Sequence, residues 1–474
     1  MKMTLLIARK EFTEMLRDGR FRGAGAIVFT LLAGALLLGW QSHREVSAQH
    51  RSAQEATRAQ WLQQGKKNPH SAAHYGVYAF KPQVPLSLVD HGTDPYTGVA
   101  VWLEAHKQNE FKYRPAQDAT AVQRLGELTG ATVLQLLVPL LIVLLTFSAF
   151  SGERELGTLR QLFSLGVSPA ELAAGKALGV AAALGVWLVP AAILGSVAIV
   201  AASGGGEVMA AAPRAGWMGL SYLLYFGAFT GVSLAVSAWA PSSRVALMVL
   251  LGFWMMNGLV APRVAADLAK SQSPSPSAFA FAQQMQLALA KGSDGHDPGA
   301  RAKALETELL KKYNVDRPEA LPVNLLGVRL QDSENHGNEV FDESYGALWE
   351  NFAAQNRIHQ RVAWMAPGLA MRSISMGFAG TDFAQHTHFA KAAEEYRRMI
   401  QRTMNEELTH RAPKTGAPHL AGPELWNKVA PFAYTAPEAG WVAERQAPAL
   451  GVVAGWFAGS ILLAGWAARR IRVV

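Results

Sequence analysis

Apolar and polar positions divide this chain into blocks. Six runs of eighteen or more residues contain no charged side chain: Gly23–Trp40, Ala131–Phe150, Ala177–Ala202, Trp217–Ala240, Val245–Pro262 and Ala449–Ala467. About 20 apolar residues at 1.5 Å rise cross a ~30 Å hydrocarbon core. Each run therefore predicts a membrane-spanning helix. Buried core helices are the alternative, but such helices are seldom this long or apolar on every side.

The segments between the runs have their own periods. Residues 1–22 place Leu5, Leu6, Ile7, Phe12, Met15 and Leu16 among Arg9, Lys10, Glu11, Glu14, Arg17 and Asp18. That spacing predicts an amphipathic helix lying in the membrane interface, its basic side chains at lipid headgroups. Residues 41–130 start with a polar helical stretch that continues the first span. A Pro-, Gly- and aromatic-rich part follows, read as irregular or short-strand structure. "AQDATAVQRLGELTG" is then expected as a helix leading into the second span. Residues 263–448 offer helices over Ala278–Lys291, Ala300–Tyr313, Asp342–Trp364 and Asp382–Arg411. The two segments are expected to build one composite, mainly helical domain on one membrane face. Residues 203–216 and 241–244 read as a loop and a tight turn, and 468–474 as a tail. Within the spans, Gln135, Asn257, Ser221, Thr230, Ser233 and Ser237 are expected to join helices, and Pro139 and Pro190 to kink them.

Residues 151–176 join spans two and three and carry the densest charge near the membrane. Glu153, Arg154, Glu155, Arg160 and Gln161 alternate with Leu156, Leu159, Leu162, Phe163 and Leu165. The pattern predicts a short helix parallel to the membrane with its Glu-Arg-Glu triplet facing the cytosol. Ser168 can cap the next helix, with Pro169 in its first position.

Charge sets the expected orientation. Charged residues make up 17% of the chain, against roughly 25% in soluble domains. With the N-terminus inside, segments 1–22, 151–176, 241–244 and 468–474 hold thirteen cations against six acids. That asymmetry accounts for nearly all of the net +8 and follows the positive-inside pattern. Nucleic acid is not needed to explain the basic balance. Both termini are expected in the cytoplasm, and the first span, behind a charged segment, is read as retained. Absence of cysteine excludes thiolate nucleophiles and thiolate metal sites.

"SGERELGTLRQLFSLGVSPAELAAGKALG" resembles the loop of type-2 ABC exporter permeases, which runs E-R-E-x-G-T-L, then a turn, then G-K. The matching residues are Glu153, Arg154, Glu155, Gly157, Thr158, Leu159, Val167, Ser168, Gly175 and Lys176. Gly166 and Pro169 depart from the usual turn. The resemblance implies that the loop is a coupling helix seated in a groove of an ATPase subunit, with Leu162 and Phe163 on it. It also implies that the N-terminal helix, with Arg9, Lys10, Glu11, Phe12 and Arg17, is the elbow helix. "NPHSAAHYGVYAF", "LEAHKQN" and "GFAGTDFAQHTHFAKAAEEYRR" are similar to a subgroup of these permeases whose large extracytoplasmic segments form a domain of unknown function.

No phosphate-cradling loop is present: "AAGKALG" lacks the G-x-x-x-x-G-K-[ST] spacing. ATP and Mg2+ are thus expected on a separate subunit, no cofactor or metal on this chain, and no enzymatic activity of its own. Asp382, His386 and His388 form the one candidate ligand site, with Asp382 and His386 on one helix face and His388 pointing away. His70 and His74, four apart, and His359 read as structural or capping histidines. At "AEEYRRMIQR", Glu394 and Glu395 are expected to pair with Arg398 on a solvated helix beside Tyr396, Arg397 and Arg402.

These readings converge on an all-α protein of the bacterial inner membrane. It would be a permease paired with a second permease copy, identical or paralogous, and with an ABC ATPase. A periplasmic or outer-membrane accessory protein is a further expected partner. The alternative is a non-transporting receptor or scaffold that senses through its external domain.

Overall fold

The computed structural model describes residues 2–118, 128–291, 298–414 and 418–471. Six helices are long and apolar enough to cross a membrane: Gly19–Leu62, Gly130–Glu155, Pro169–Ala202, Val208–Trp239, Ser243–Gln272 and Ala439–Arg469. Each encloses one predicted run to within a residue. Their inward faces share an apolar core that includes Leu32, Ile142, Val180, Tyr225, Phe229 and Val452.

Several boundaries differ from the pattern. The amphipathic helix stops at Arg17, and Asp18 accepts a hydrogen bond from the Arg20 backbone at 2.8 Å. This cap starts the first span four residues before its apolar run. The loop expected over 203–216 is instead helical, because the chain bends at Ser203 and continues as Gly204–Trp239. Local propensity is divided here, with four glycines and Pro213 set against Ala210, Ala211 and Ala212, and buried Arg214 anchors the segment by donating to the Phe378 and Pro437 carbonyls. Spans two and five each contain a π-helical turn, Val133–Leu137 and Met256–Val260. The first ends two residues before Pro139, whereas Pro190 lies inside an unbroken helix.

The first span continues as one helix to Leu62, as its polar extension predicts. Its far end docks on the second polar segment: Trp61 Nε1 donates to the Trp426 carbonyl at 3.0 Å, and Arg58 to that of Val429 at 2.7 Å. Beyond it, β1 (Val77–Phe80), β2 (Ala100–Glu104) and β3 (Lys107–Gln108) form an antiparallel sheet in the order β1-β2-β3, with Tyr78 opposite Trp102. Val77, Ala79, Val101 and Leu103 pack against Phe389, Ala393, Ile400 and Met404 of the helix Phe383–Arg411. The expected composite domain is therefore one body with a shared core. Most of the helix expected at 116–130 falls on residues 119–127, outside the described residues.

In the second segment, Ala278–Lys291, Pro298–Tyr313 and Phe383–Arg411 follow the expected helices. The helix expected from Asp342 begins at Leu325, extending to Ala363. A further helix, Pro367–Ala379, was not predicted and buries Leu369, Met371, Ile374 and Phe378 against the spans.

Candidate functional site

The loop after span two is two short helices rather than one. Ser151–Glu155 and Thr158–Ser164 are separated by Gly157 at φ 74°, a conformation open to glycine at little cost. Gly166, at φ 84°, ends the second helix; its N–H bonds to the Phe163 carbonyl and that of Val167 to Leu162. This αL termination accounts for glycine in the turn. Ser168 and Glu171 then form a reciprocal capping box, with Pro169 in the first turn as the sequence indicates. Leu159 is buried, and Leu162 and Phe163 half-buried, in a cluster with Ile7, Phe150, Leu172 and Leu234.

Of the Glu-Arg-Glu triplet, Glu155 is exposed, while Glu153 and Arg154 are half-buried, and all three reach the ends of other spans. Glu153 Oε1 lies 2.9 Å from Lys176 Nζ at the start of span three and 3.3 Å from Lys10 Nζ of the N-terminal helix. Arg154 donates to the carbonyls of Ala238, at 2.5 Å, and Ala240, where the helix of span four ends. Glu155 accepts from the Ser243 backbone at 2.8 Å and its hydroxyl at 2.9 Å, at the start of span five. A carboxylate at a helix N-terminus and a guanidinium at a C-terminus both satisfy free backbone groups and match the helix dipole. Glu155 is accordingly held below the usual carboxylate range by these Ser243 hydrogen bonds. Leu156 and Leu165, 79% and 77% exposed, project outward with Arg160 and Gln161.

The N-terminal helix buries Ile7, Glu11 and Met15, while Arg9 and Arg17 are exposed and Phe12 half-buried. Leu5 and Leu6 are exposed as well. The helix presses on span three where Gly175 and Gly179 lie. A Cβ at either position would come within 2.6 Å of Ile7 or Glu11. Lys176, between them, bonds Glu11 Oε1 at 2.8 Å. Burial alone would raise the Glu11 carboxyl, but Lys176 and Lys10 outweigh it and hold the carboxyl below the ordinary glutamate value.

At the other end of the bundle, a polar chain joins the spans to the large domain. Gln135 donates to the Tyr222 hydroxyl at 3.1 Å, which contacts the Ser375 hydroxyl at 3.0 Å; Ser375 in turn donates to Asp90 at 2.5 Å. Asn257 donates to the Tyr225 hydroxyl at 3.0 Å and accepts from the Gly368 backbone at 2.9 Å. Gln135 and Asn257 lie in the two π turns, so both expected helix-joining amides play that part. Ser237 does too, accepting from the Phe150 backbone at 3.0 Å. Ser221 and Thr230 instead donate to carbonyls of their own helix. Asp90 and Ser375 carry no sequence signal for this pairing. Burial pushes the Asp90 carboxyl above the usual aspartate range.

Asp382, His386 and His388 do not converge on a ligand. Asp382 caps its helix, accepting from the Gln385 backbone at 3.0 Å. His386 is buried between Phe111 and Phe383, and burial lowers its pKa to about 3. His388 points elsewhere, its Nδ1 2.9 Å from the Tyr434 hydroxyl. The solvated ion-pair helix expected near Arg397 is also corrected. Arg397 is fully buried, bonded to Glu394 at 2.8 Å and Glu334 at 3.2 Å, because the helix Leu325–Ala363 packs over it. Arg398 does pair with Glu394, at 2.9 Å.

No curated protein matches the chain. Residues 279–435, most of the second polar segment, match the family model of a domain of unknown function, DUF3526.

Proposed function

We propose that the chain is the membrane subunit of a bacterial ABC exporter, acting as a pair of permeases with two separate ATPase subunits. The loop 151–168, the N-terminal helix and the C-terminus face the cytoplasm, and the composite domain lies outside. The net positive charge of the short segments supports this orientation.

One observation carries the reading. A single loop, besides joining spans two and three, grips the ends of spans three, four and five through Glu153, Arg154 and Glu155. Force applied to its exposed tip therefore reaches four spans and the N-terminal helix through hydrogen-bonded charges. Leu156, Arg160 and Leu165 offer a protruding mixed surface for the ATPase groove. Closure of the ATPases would push this tip and shift spans two and five against those of the partner permease. The polar chain from Gln135 to Asp90 would carry that movement to the outer domain.

A photo-crosslinking amino acid at Arg160 in the native host provides the test. The expected product is a crosslink to a polypeptide bearing a phosphate-binding loop. Recovery of no nucleotide-binding polypeptide overturns the assignment and favours the receptor reading. Arg160→Cys adds the topological arm, since the chain has no other cysteine. A membrane-impermeant maleimide should label it in inside-out vesicles and not in intact cells.

A further inference from the structure

The composite domain gathers three histidines from two places in its first segment. His70 and His74 lie one turn apart on the short helix Pro69–Tyr75, and His106 sits in the turn between β2 and β3. His70 Nε2 is 3.1 Å from His74 Nε2 and 3.5 Å from His106 Nε2. One ligand atom from each ring lies within 4.8 Å of the others. Among the described residues this is the one group of three such side chains that converges in this way.

A metal at 2.0–2.1 Å from tetrahedral nitrogens places those nitrogens about 3.3 Å apart. The two short separations here bracket that value. The surroundings select the tautomer as well. His106 Nδ1 lies 2.7 Å from Glu334 Oε1, so Nδ1 keeps its proton and donates a hydrogen bond to the carboxylate, leaving the Nε2 lone pair facing the other rings. Glu334 also accepts from the His106 backbone at 2.9 Å and is held by Arg397. Glu394 and Asn338 fix Arg397 in turn. His106 adopts φ 62°, unusual for a residue with a side chain, which aims its ring at the helix. The carboxylate–histidine pair is the arrangement that orients ligands at metal centres. His74 is exposed, so solvent reaches the group.

We infer that His70, His74 and His106 bind a divalent ion of the zinc class through Nε2, with Glu334 as a positioning residue and a fourth coordination position open to solvent. Three imidazoles suit zinc, copper or nickel rather than calcium or magnesium. The ligands come from the first segment and the positioning carboxylate from the second, so the site spans the junction of the composite domain.

The test uses the full-length chain in detergent, stripped with chelator and titrated with ZnCl2 by calorimetry. One ion per chain is expected, and Co2+ should give the visible bands of a tetrahedral complex. His74→Ala and His106→Ala should abolish both signals, and Glu334→Gln should weaken zinc binding about 10–100-fold. His74 is exposed, so its variant should unfold like wild type without metal and isolates binding from folding. No zinc, copper or nickel uptake by the wild-type chain at micromolar metal overturns the inference. Uptake unchanged in both histidine variants does so too.

Discussion

Replacing Lys176 by Met tests the mechanical link between the loop and the N-terminal helix. The side chain is 2% exposed and its ammonium bonds Glu11 at 2.8 Å and Glu153 at 2.9 Å. Methionine keeps the length but leaves two poorly solvated carboxylates facing each other. Removing one partner of a buried pair typically costs about 3–5 kcal/mol. Lys10, half-exposed and 3.2–3.3 Å from the same carboxylates, retains part of the neutralisation. The expected cost is therefore reduced to about 2–3 kcal/mol. Unfolding in mixed micelles with rising SDS, followed through the thirteen tryptophans, measures it. Adding Glu153→Gln removes the stranded charge, so the double variant should be more stable than the sum of single effects predicts, by about 1–2 kcal/mol. Low pH supplies a second readout. Because Glu11 titrates below its ordinary value when folded, its contribution is present above that value and lost as pH falls through the folded one. Lys176→Met should flatten this slope. Additivity within about 0.5 kcal/mol, or an unchanged acid slope, would refute the linkage.

Leu156→Ser and Leu165→Ser alter only exposed positions and should change stability by less than about 0.5 kcal/mol, while lowering the amount of ATPase that co-purifies. Asp90→Asn should stabilise the chain by about 1 kcal/mol at neutral pH, since it removes a buried charge and keeps the hydrogen-bonding shape. Asp90's contribution is fully present below the ordinary aspartate value and is lost as pH rises through the raised folded one; in Asp90→Asn, unfolding measured against pH should lose that dependence. Gly179→Val forces a Cβ to within 2.6 Å of Glu11. It should destabilise by about 1–3 kcal/mol in the same unfolding assay, lifting the N-terminal helix from span three.

The sequence by itself determined the spans, the amphipathic start and the cap at Ser168. Lipid solvation imposes an apolar run of fixed length, and a cap needs only residues a turn away. Tertiary structure decided where the charges point. The sequence turns Glu153 and Arg154 toward the cytosol on a short interfacial helix, yet their partners at Lys176 and Ala238 belong to other spans. The start at Leu325 was hidden by residues of low helix propensity, including Gly327, Asp332 and Gly337. Packing over Arg397 overrides them, through Glu334 and Asn338. Only the fold brings His106 beside His70 and sets Glu334, 228 residues further along the chain, behind it. Local periodicity reports which face of a helix is apolar. It carries no information about which distant group completes a buried charge or a ring of imidazoles, because that choice is made when the two polar segments pack together.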